Sequence, residues 1–147
     1  MAIQFHSLQI KFKLKNKNLH KSWIKRCIDT HGRIPGAISC IFTSNPTLRE
    51  MNRDYLNHDY FTDVITFDYS EGDLVSGDVF ISIDQVQINA VIYNESFDEE
   101  LKRVMIHGVL HLIGFGDKTE QEKDLMRKME NDALHLWLKG EENDPGI

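Results

Sequence analysis

The segment from His107 to Asp117, HGVLHLIGFGD, constrains the fold more than any other part of the chain. A helix places His107 and His111 on the same face, with Cβ atoms about 5–6 Å apart. Gly114 allows the helix to end in a left-handed turn, so the chain can fold back and bring Asp117 to the two histidines. Two histidines, one carboxylate and an open fourth position are typical of a catalytic zinc site. The alternative is a chance HxxxH pair without a metal, against which the glycine and the carboxylate weigh in favour of the site.

The rest of the chain predicts a single domain over residues 1–147, because it contains no internal repeat and no linker-like segment. Alternating and β-branched residues predict strands over 3–14, 37–43, 64–69 and 78–82. Helical spacing predicts helices over 19–31, 45–57 and 84–93, the second with Asn45 as N-cap before Pro46. Capping boxes that begin at Ser96 and Thr119 predict the helix with the two histidines and a last helix that ends at Gly140.

Charge is distributed unevenly along this acidic chain, whose net charge is −6. Residues 11–33 contain eight Lys and Arg against one acid, whereas residues 34–147 contain nine against twenty-two. The first segment therefore predicts a basic face that can attract a polyanion, with Lys21, Lys25 and Arg26 as candidate substrate-binding residues. The alternative is that the lysines at 11, 13, 15 and 17 only solvate an edge strand.

Two cysteines, Cys27 and Cys40, and the lack of a signal-like apolar segment predict a cytoplasmic protein with buried thiols rather than a disulfide. No stretch approaches the roughly 18 apolar residues of a membrane span, so we expect no membrane association.

Gly108 bears on the chemistry, because in HExxH metalloproteases the residue after the first histidine is a glutamate that acts as general base. A peptidase is therefore disfavoured. Zinc alone can lower the pKa of a bound water enough for attack on a phosphodiester or an amide. No local side chain distinguishes these two substrates, and no catalytic residue beyond the metal ligands is assigned.

Three ordered motifs resemble those of the YbeY family. HGVLHLIGFGD is similar to the family signature HGxLHLxGxxH, and GDVFIS (77–82) is similar to its GDIxIS strand. Between residues 52 and 67, NRDY, Asp59 and TDVITF resemble the family segment NxxY, D and TDVLSF. The resemblance covers most of residues 45–130 in the family's order.

The resemblance implies an α+β fold, in which about five helices pack a small mixed β-sheet around a zincin-like metal site. It implies a metal-dependent, single-strand-preferring endoribonuclease of ribosomal RNA maturation and ribosome quality control. One Zn²⁺ per chain is expected on His107, His111 and Asp117, and the expected partners are ribosomal RNA and the small ribosomal subunit or its assembly factors. Two other functions stay open, a zinc-dependent peptidase-like hydrolase and a non-catalytic assembly factor with a structural metal.

The chain departs from the family pattern at two positions. Asp117 stands where the third ligand is usually histidine, which predicts a less cationic site that tolerates harder metals. Leu56 stands where the family commonly carries an arginine for phosphate binding, so that role is lost or passes to Arg53, to His58 or to the basic segment.

Other residues have structural alternatives. Thr62 and Asp63 are predicted either to cap a strand or to line the cleft as substrate-binding residues. Tyr55, Phe67 and Phe115 are predicted to be core side chains rather than base-stacking platforms. His135 is predicted to be a structural histidine rather than a ligand. No metal-ligand spacing links the remaining histidines, which are His6, His20, His31 and His58.

Overall fold

The computed structural model describes residues 2–57 and 62–142, and side chains as far as residue 137. It contains four strands and five helices within these residues. In chain order they are β1 (Ile3–Ser7), α1 (Lys17–Thr30), β2 (Ile34–Thr43), α2 (Asn45–Leu56), β3 (Val64–Asp68), β4 (Leu74–Ser82), α3 (Ile83–Ile92), α4 (Phe97–Ile113) and α5 (Glu120–Glu142).

The strands form one mixed sheet in the order β1-β2-β4-β3. Strands β1, β2 and β4 are parallel, and β3 pairs with β4 in the antiparallel direction at the edge of the sheet. Helix α4 packs against β3 and β4, while α1 packs against β2 and α5. This arrangement confirms the predicted α+β fold with a small mixed sheet and five helices.

The hydrophobic core lies where α1, α4 and α5 meet the sheet. Trp23 of α1 is fully buried, and its indole Nε1 donates a 2.7 Å hydrogen bond to the carbonyl oxygen of Ala133 in α5. Phe42 of β2 and Met105 of α4 are also buried in this cluster. Burial of such side chains contributes about 1.5–3 kcal/mol each, so this cluster holds α4 firmly on the sheet.

The structure corrects the predicted limits of several elements. Strand β1 ends at Ser7, because Gln9 adopts a left-handed conformation with φ of 60° and turns the chain away from β2. The side chains of Phe12 and Leu14 still face the core from the segment that follows. Strand β4 begins at Leu74, four residues before the predicted start at Asp78.

Helix limits also differ by one or two residues from the prediction. Ser44, not Asn45, is the N-cap of α2, and its hydroxyl accepts from the amide of Thr47. Helix α5 continues through Gly140 to Glu142. A glycine costs a helix only about 1 kcal/mol relative to alanine, which the contacts of a 23-residue helix can offset.

Candidate metal centre

Local sequence sets the end of α4 where the two histidines lie. Ser96 caps the N-terminus by accepting a 3.1 Å hydrogen bond from the amide of Glu99, which confirms the predicted N-cap, while the carboxylate of Glu99 pairs with Lys102. The helix ends at Gly114, whose φ of 123° is in the range that favours glycine. The amide of Phe115 bonds to the carbonyl of Leu110 at 3.0 Å, so the chain turns back at once.

This turn brings three ligand atoms together. The two Nε2 atoms of His107 and His111 are 3.0 Å apart. Oδ2 of Asp117 lies 3.1 Å from the first and 3.2 Å from the second. Among the described residues, these three form the one group of three His, Cys, Asp or Glu side chains with metal-ligand spacing.

The remaining ring nitrogens define where the protons lie. Nδ1 of His107 is 2.6 Å from a carboxylate oxygen of Glu130, and Nδ1 of His111 is 2.9 Å from the carbonyl oxygen of Phe115. Both Nδ1 atoms therefore donate, and in a neutral ring the Nε2 atom is then an acceptor. Two such nitrogens and a carboxylate oxygen meet with no donor among them, an arrangement that favours a bound cation.

The spacing fits a metal ion. Two ligands that lie about 2.0–2.1 Å from a tetrahedral zinc ion are about 3.3 Å apart. The three separations of 3.0–3.2 Å approach this value without rearrangement of the helix or the turn. The donor set of two nitrogens and one oxygen is one that zinc accepts, and it leaves the fourth position open toward the cleft.

Glu130 of α5 orients His107, a role that the spacing of the metal motif does not predict. It is only 7% exposed, and its second oxygen accepts a 3.0 Å hydrogen bond from Arg103 of α4. The sequence does contain a signal, because Glu130 occupies the buried stripe of α5 together with Met126, Ala133 and Trp137. An acid on an apolar stripe at this spacing indicates a partnered carboxylate.

Electrostatics at this pair favour positive charge on the imidazole. Burial lowers the pKa of His107, but the hydrogen bond and charge of Glu130, with the charges of Asp63 and Asp117, outweigh it and the net pKa is raised. Burial raises the pKa of Glu130, but hydrogen bonds from His107 and Arg103 outweigh it and the net pKa is lowered. The negative charges that raise this pKa favour either a proton or a metal ion at Nε2 of His107, so the two compete for the same atom.

An open cleft of about 270 Å³ leads to the three ligands. Its walls come from the end of α2 and from β3 with the residues before it, and they include Asn52, Leu56, Thr62 and Asp63. The structure thus brings the two predicted residues Thr62 and Asp63 to the metal centre. It also adds Asn52, a buried residue of the NRDY motif that the sequence does not assign to the site.

Two acidic residues with perturbed proton affinity lie close to each other, Asp63 in the cleft wall and Glu100 of α4. Asp63 accepts a 3.1 Å hydrogen bond from the side-chain amide of Asn89, and burial raises its pKa. Glu100 of α4 is buried too, and burial, followed by the charge of Asp63, raises its pKa against the influence of Arg103. These carboxyl groups hold protons more tightly than free ones do.

Gly108 faces the sheet and not the cleft. A Cβ atom at this position would lie 2.5 Å from Cγ1 of Val79 and 3.3 Å from Cγ2 of Val64. A glutamate here could not reach the metal as a general base without displacing the helix from β3 and β4. The close approach of α4 to the sheet explains why this position is glycine.

The other proposed substrate-binding residues are not at the cleft. Lys21, Lys25 and Arg26 lie on α1 and do not line it. Nε of Arg26 is buried and has no hydrogen-bond partner among the described residues. Arg53 lies on the exposed side of α2, 3.5 Å from Asp54. His58 lies outside the described residues.

Two predictions about structural side chains are wrong. Tyr55 is 70% exposed, although its ring contacts that of Phe67. His135 is exposed on α5 rather than held in the core. Phe67 and Phe115 are partly buried, in keeping with their predicted packing role.

No helix in the described parts of the chain is long and apolar enough to cross a membrane.

Comparison with known proteins identifies the family. The family model described as Endoribonuclease YbeY matches residues 3–137. Proteins named Endoribonuclease YbeY include one from Azobacteroides pseudotrichonymphae, 46% identical over 91% of this chain and 96% of its own. Another, from Parabacteroides distasonis, is 46% identical over 92% of this chain and 96% of its own.

A solved structure agrees with the fold. The solution structure of TM1509 from Thermotoga maritima superimposes with a TM-score of 0.61 at 27% identity, covering 99% of both chains. Endoribonucleases are hydrolases of RNA phosphodiester bonds, so the predicted family and the enzyme class that it implies are both confirmed. The chain belongs to the YbeY family of endoribonucleases.

Proposed function

We propose that residues 1–147 form one metal-dependent hydrolase domain that cuts single-stranded ribosomal RNA during its maturation and during ribosome quality control. The observation that carries the proposal is the convergence of three acceptor atoms of His107, His111 and Asp117 beside an open cleft. A bound metal ion supplies Lewis acidity and lowers the pKa of water in its open position.

Zn²⁺ is the proposed ion, at one per chain. Both histidines present Nε2, and each is fixed by a hydrogen bond at Nδ1, the arrangement that raises imidazole basicity toward zinc. The carboxylate of Asp117 lowers the net positive charge of the loaded site. This ligand makes exchange with Mn²⁺ or Mg²⁺ easier than three histidines would.

Thr62 and Asp63 are the proposed substrate-binding residues of the cleft. The hydroxyl of Thr62 can donate to a phosphate oxygen, and Asp63 is held by Asn89 at the cleft wall. Leu56 lines the cleft where the family carries arginine, so it offers apolar contact and no charge to the substrate.

The basic residues of α1 have a more remote role in this proposal. Lys21, Lys25 and Arg26 attract the phosphate backbone over a distance, because they lie away from the cleft. Arg53, exposed on α2 near the cleft residues Asn52 and Leu56, is the nearest candidate in sequence for a direct phosphate contact. Small-subunit association and the reducing cytoplasm belong to the proposal, the latter supported by unpaired, buried Cys27 and Cys40.

Two rival functions make different demands on the site. A peptidase reaction would be favoured by a glutamate after His107, and the packing of Gly108 against Val79 excludes a side chain there. A non-catalytic assembly factor would keep the metal for structure. Leu56 supports this alternative, because the arginine for phosphate binding is missing at this position. An open, solvent-accessible fourth position supports catalysis instead.

One experiment separates these functions. The purified zinc-loaded protein is incubated with single-stranded ribosomal RNA fragments, the same fragments in duplex form, and casein, each with and without chelator. We expect chelator-sensitive cleavage of single-stranded RNA only. Casein cleavage would support the peptidase, and intact RNA with full metal content would support the assembly factor.

Elemental analysis tests the ligand assignment. The His107→Ala, His111→Ala and Asp117→Ala variants should each lose zinc, and His135→Ala, an exposed histidine of α5, is the matched control. Full zinc occupancy in the His111→Ala and Asp117→Ala variants would contradict the assignment.

A further inference from the structure

A second cavity, of about 390 Å³, lies at the far end of α4 from the metal ligands. Its wall includes Leu101 near the N-terminus of α4, whereas His111 is ten residues further along, about 15 Å at 1.5 Å per residue. The segment between β1 and α1 and the side chain of Trp137 in α5 complete it. The volume falls within the range of about 300–1,000 Å³ typical of small-molecule sites.

One side of this cavity is aromatic. Phe12 and Phe97 contact each other edge to face at 6.0 Å between ring centroids. Trp137 packs against His20 at 4.8 Å. Nδ1 of His20 is 3.0 Å from the carbonyl oxygen of Asn16, so Nε2 of the neutral ring is a hydrogen-bond acceptor in the cavity wall.

Basic residues also line this cavity, in a protein of net charge −6. Lys13, Lys15 and Lys102 line the cavity, with Asp98 as the one acid of the lining. The side chain of Lys102 is only 12% exposed, and its ammonium lies 4.2 Å from the ring centroid of Trp137 and 3.4 Å from a carboxylate oxygen of Glu99. A phosphate in the cavity would share this ammonium with Glu99, whereas Lys13 and Lys15 are exposed to it directly.

We propose that this cavity is a second RNA subsite, which holds one nucleotide of the single-stranded substrate away from the metal. The base contacts the partly buried rings of Phe12 and Phe97, and the phosphate meets the exposed Lys13 and Lys15, with Lys102 over the buried Trp137 at the cavity wall. Complementary chemistry selects this occupant. A nucleotide carries a flat aromatic base and a negative phosphate, and the cavity offers aromatic rings to the base and lysines to the phosphate. The inference rests on the proposed RNA substrate.

Adenosine 5′-monophosphate is the probe, and NMR of the zinc-loaded protein is the readout. We expect it to shift the indole resonance of Trp137 and the amides of residues 12–16. The indole of Trp23, fully buried and bonded to Ala133, is the internal reference. Shifts confined to residues 62–66 of the metal cleft, or no shift at all, would overturn the proposal.

Adenosine and inorganic phosphate are titrated separately. Each should bind more weakly than the nucleotide, because each occupies only one side of the cavity. Phosphate that binds as tightly as the nucleotide would overturn the assignment of a base site and leave a simple anion site.

A charge-reversal variant tests the lysines. Lys13→Glu with Lys15→Glu should weaken nucleotide binding by about tenfold or more. For a short single-stranded RNA, it should also reduce the dependence of log Kd on log salt by about 1.4, or about 0.7 for each phosphate that a lysine no longer neutralises. Lys128→Glu, 67% exposed on α5, is the matched control. Equal nucleotide affinity in all three proteins would refute the subsite.

Kinetics distinguish this failure from failure of the proposed function. The double variant should raise KM for RNA and leave kcat unchanged, because the metal ligands are untouched. If RNA is not cut but the nucleotide still shifts Trp137, the subsite stands and the enzymatic proposal falls. If RNA is cut with an unchanged KM, the subsite falls and the enzymatic proposal stands.

Discussion

The hydrogen bond from His107 to Glu130 should control metal affinity, and Glu130→Gln tests it with little change in volume. In the native site one carboxylate oxygen accepts from Nδ1 of His107 at 2.6 Å, and the other accepts from Arg103 at 3.0 Å. A glutamine has one acceptor oxygen and one donor group, so it can satisfy only one of these two donors.

The expected loss follows from this geometry. If the glutamine oxygen stays with Arg103, its amide group faces Nδ1 of His107. The imidazole then gains by moving its proton to Nε2, where it blocks the metal. Partners of this kind are worth about 10–100-fold in metal affinity, or about 1.4–2.7 kcal/mol.

Competition with a chromophoric zinc chelator measures the affinity at pH 7. Glu120→Gln is the matched control, because its side chain is 90% exposed on the same helix and it makes only a 3.8 Å contact with Lys123. Thermal unfolding checks that both variants fold. Zinc affinity of Glu130→Gln equal to that of the wild type and of the control would refute the reasoning. Arg103→Gln should lose less affinity, because the contact between Glu130 and His107 remains.

Four further changes have defined outcomes. Asp117→His should tighten zinc in chelator competition, and equal or weaker affinity in a folded variant would contradict the argument from ligand charge. Gly108→Ala should lower the free energy of unfolding by about 1–3 kcal/mol in urea titration, because its Cβ would lie 2.5 Å from Val79, and an unchanged midpoint would exclude this clash. Burial raises the pKa of Glu100 above its ordinary value of 4.5, so above that pH the folded state keeps a proton that the unfolded chain releases. The free energy of unfolding therefore falls as the pH rises from 4.5 through the raised pKa. The Glu100→Gln variant should show a smaller decline of Tm with pH, and a Tm profile parallel to that of the wild type would contradict this assignment. Leu56→Arg should lower KM for RNA, whereas arginine at the exposed Ile88 of α3 should not.

The three proposed metal ligands could be grouped from the sequence because their geometry is local. His107, His111 and Asp117 lie within eleven residues, and one helical turn followed by a glycine suffices to bring them together. The N-caps Ser96 and Thr119 were predictable for the same reason, since each accepts a hydrogen bond from the amide three residues further along. Such patterns depend little on the rest of the fold.

The limits of the first strand were not predictable in this way. Apolar residues alternate at positions 3 and 5 and again at 8, 10, 12 and 14, so the alternation changes phase at Ser7. In the second set Ile10, Phe12 and Leu14 pack on the core, whereas Leu8 is exposed. Pairing with β2 stops at Ser7, however, because the left-handed Gln9 redirects the backbone. Periodicity reports which side chains are buried, and a neighbouring strand decides where hydrogen bonding ends.

By itself, the sequence contained the family motifs, whose resemblance implied the α+β class, and the short-range spacing that groups the three proposed metal ligands. Only the tertiary structure decided that Glu130, 23 residues beyond His107, orients its ring. The tertiary structure also formed the cleft, which is lined by Leu56 at the end of α2 and by Thr62 just before β3. It formed the cavity as well, where Phe12 meets Trp137. The physical reason is that contacts between distant residues depend on how helices pack on the sheet, and local periodicity carries no record of that packing.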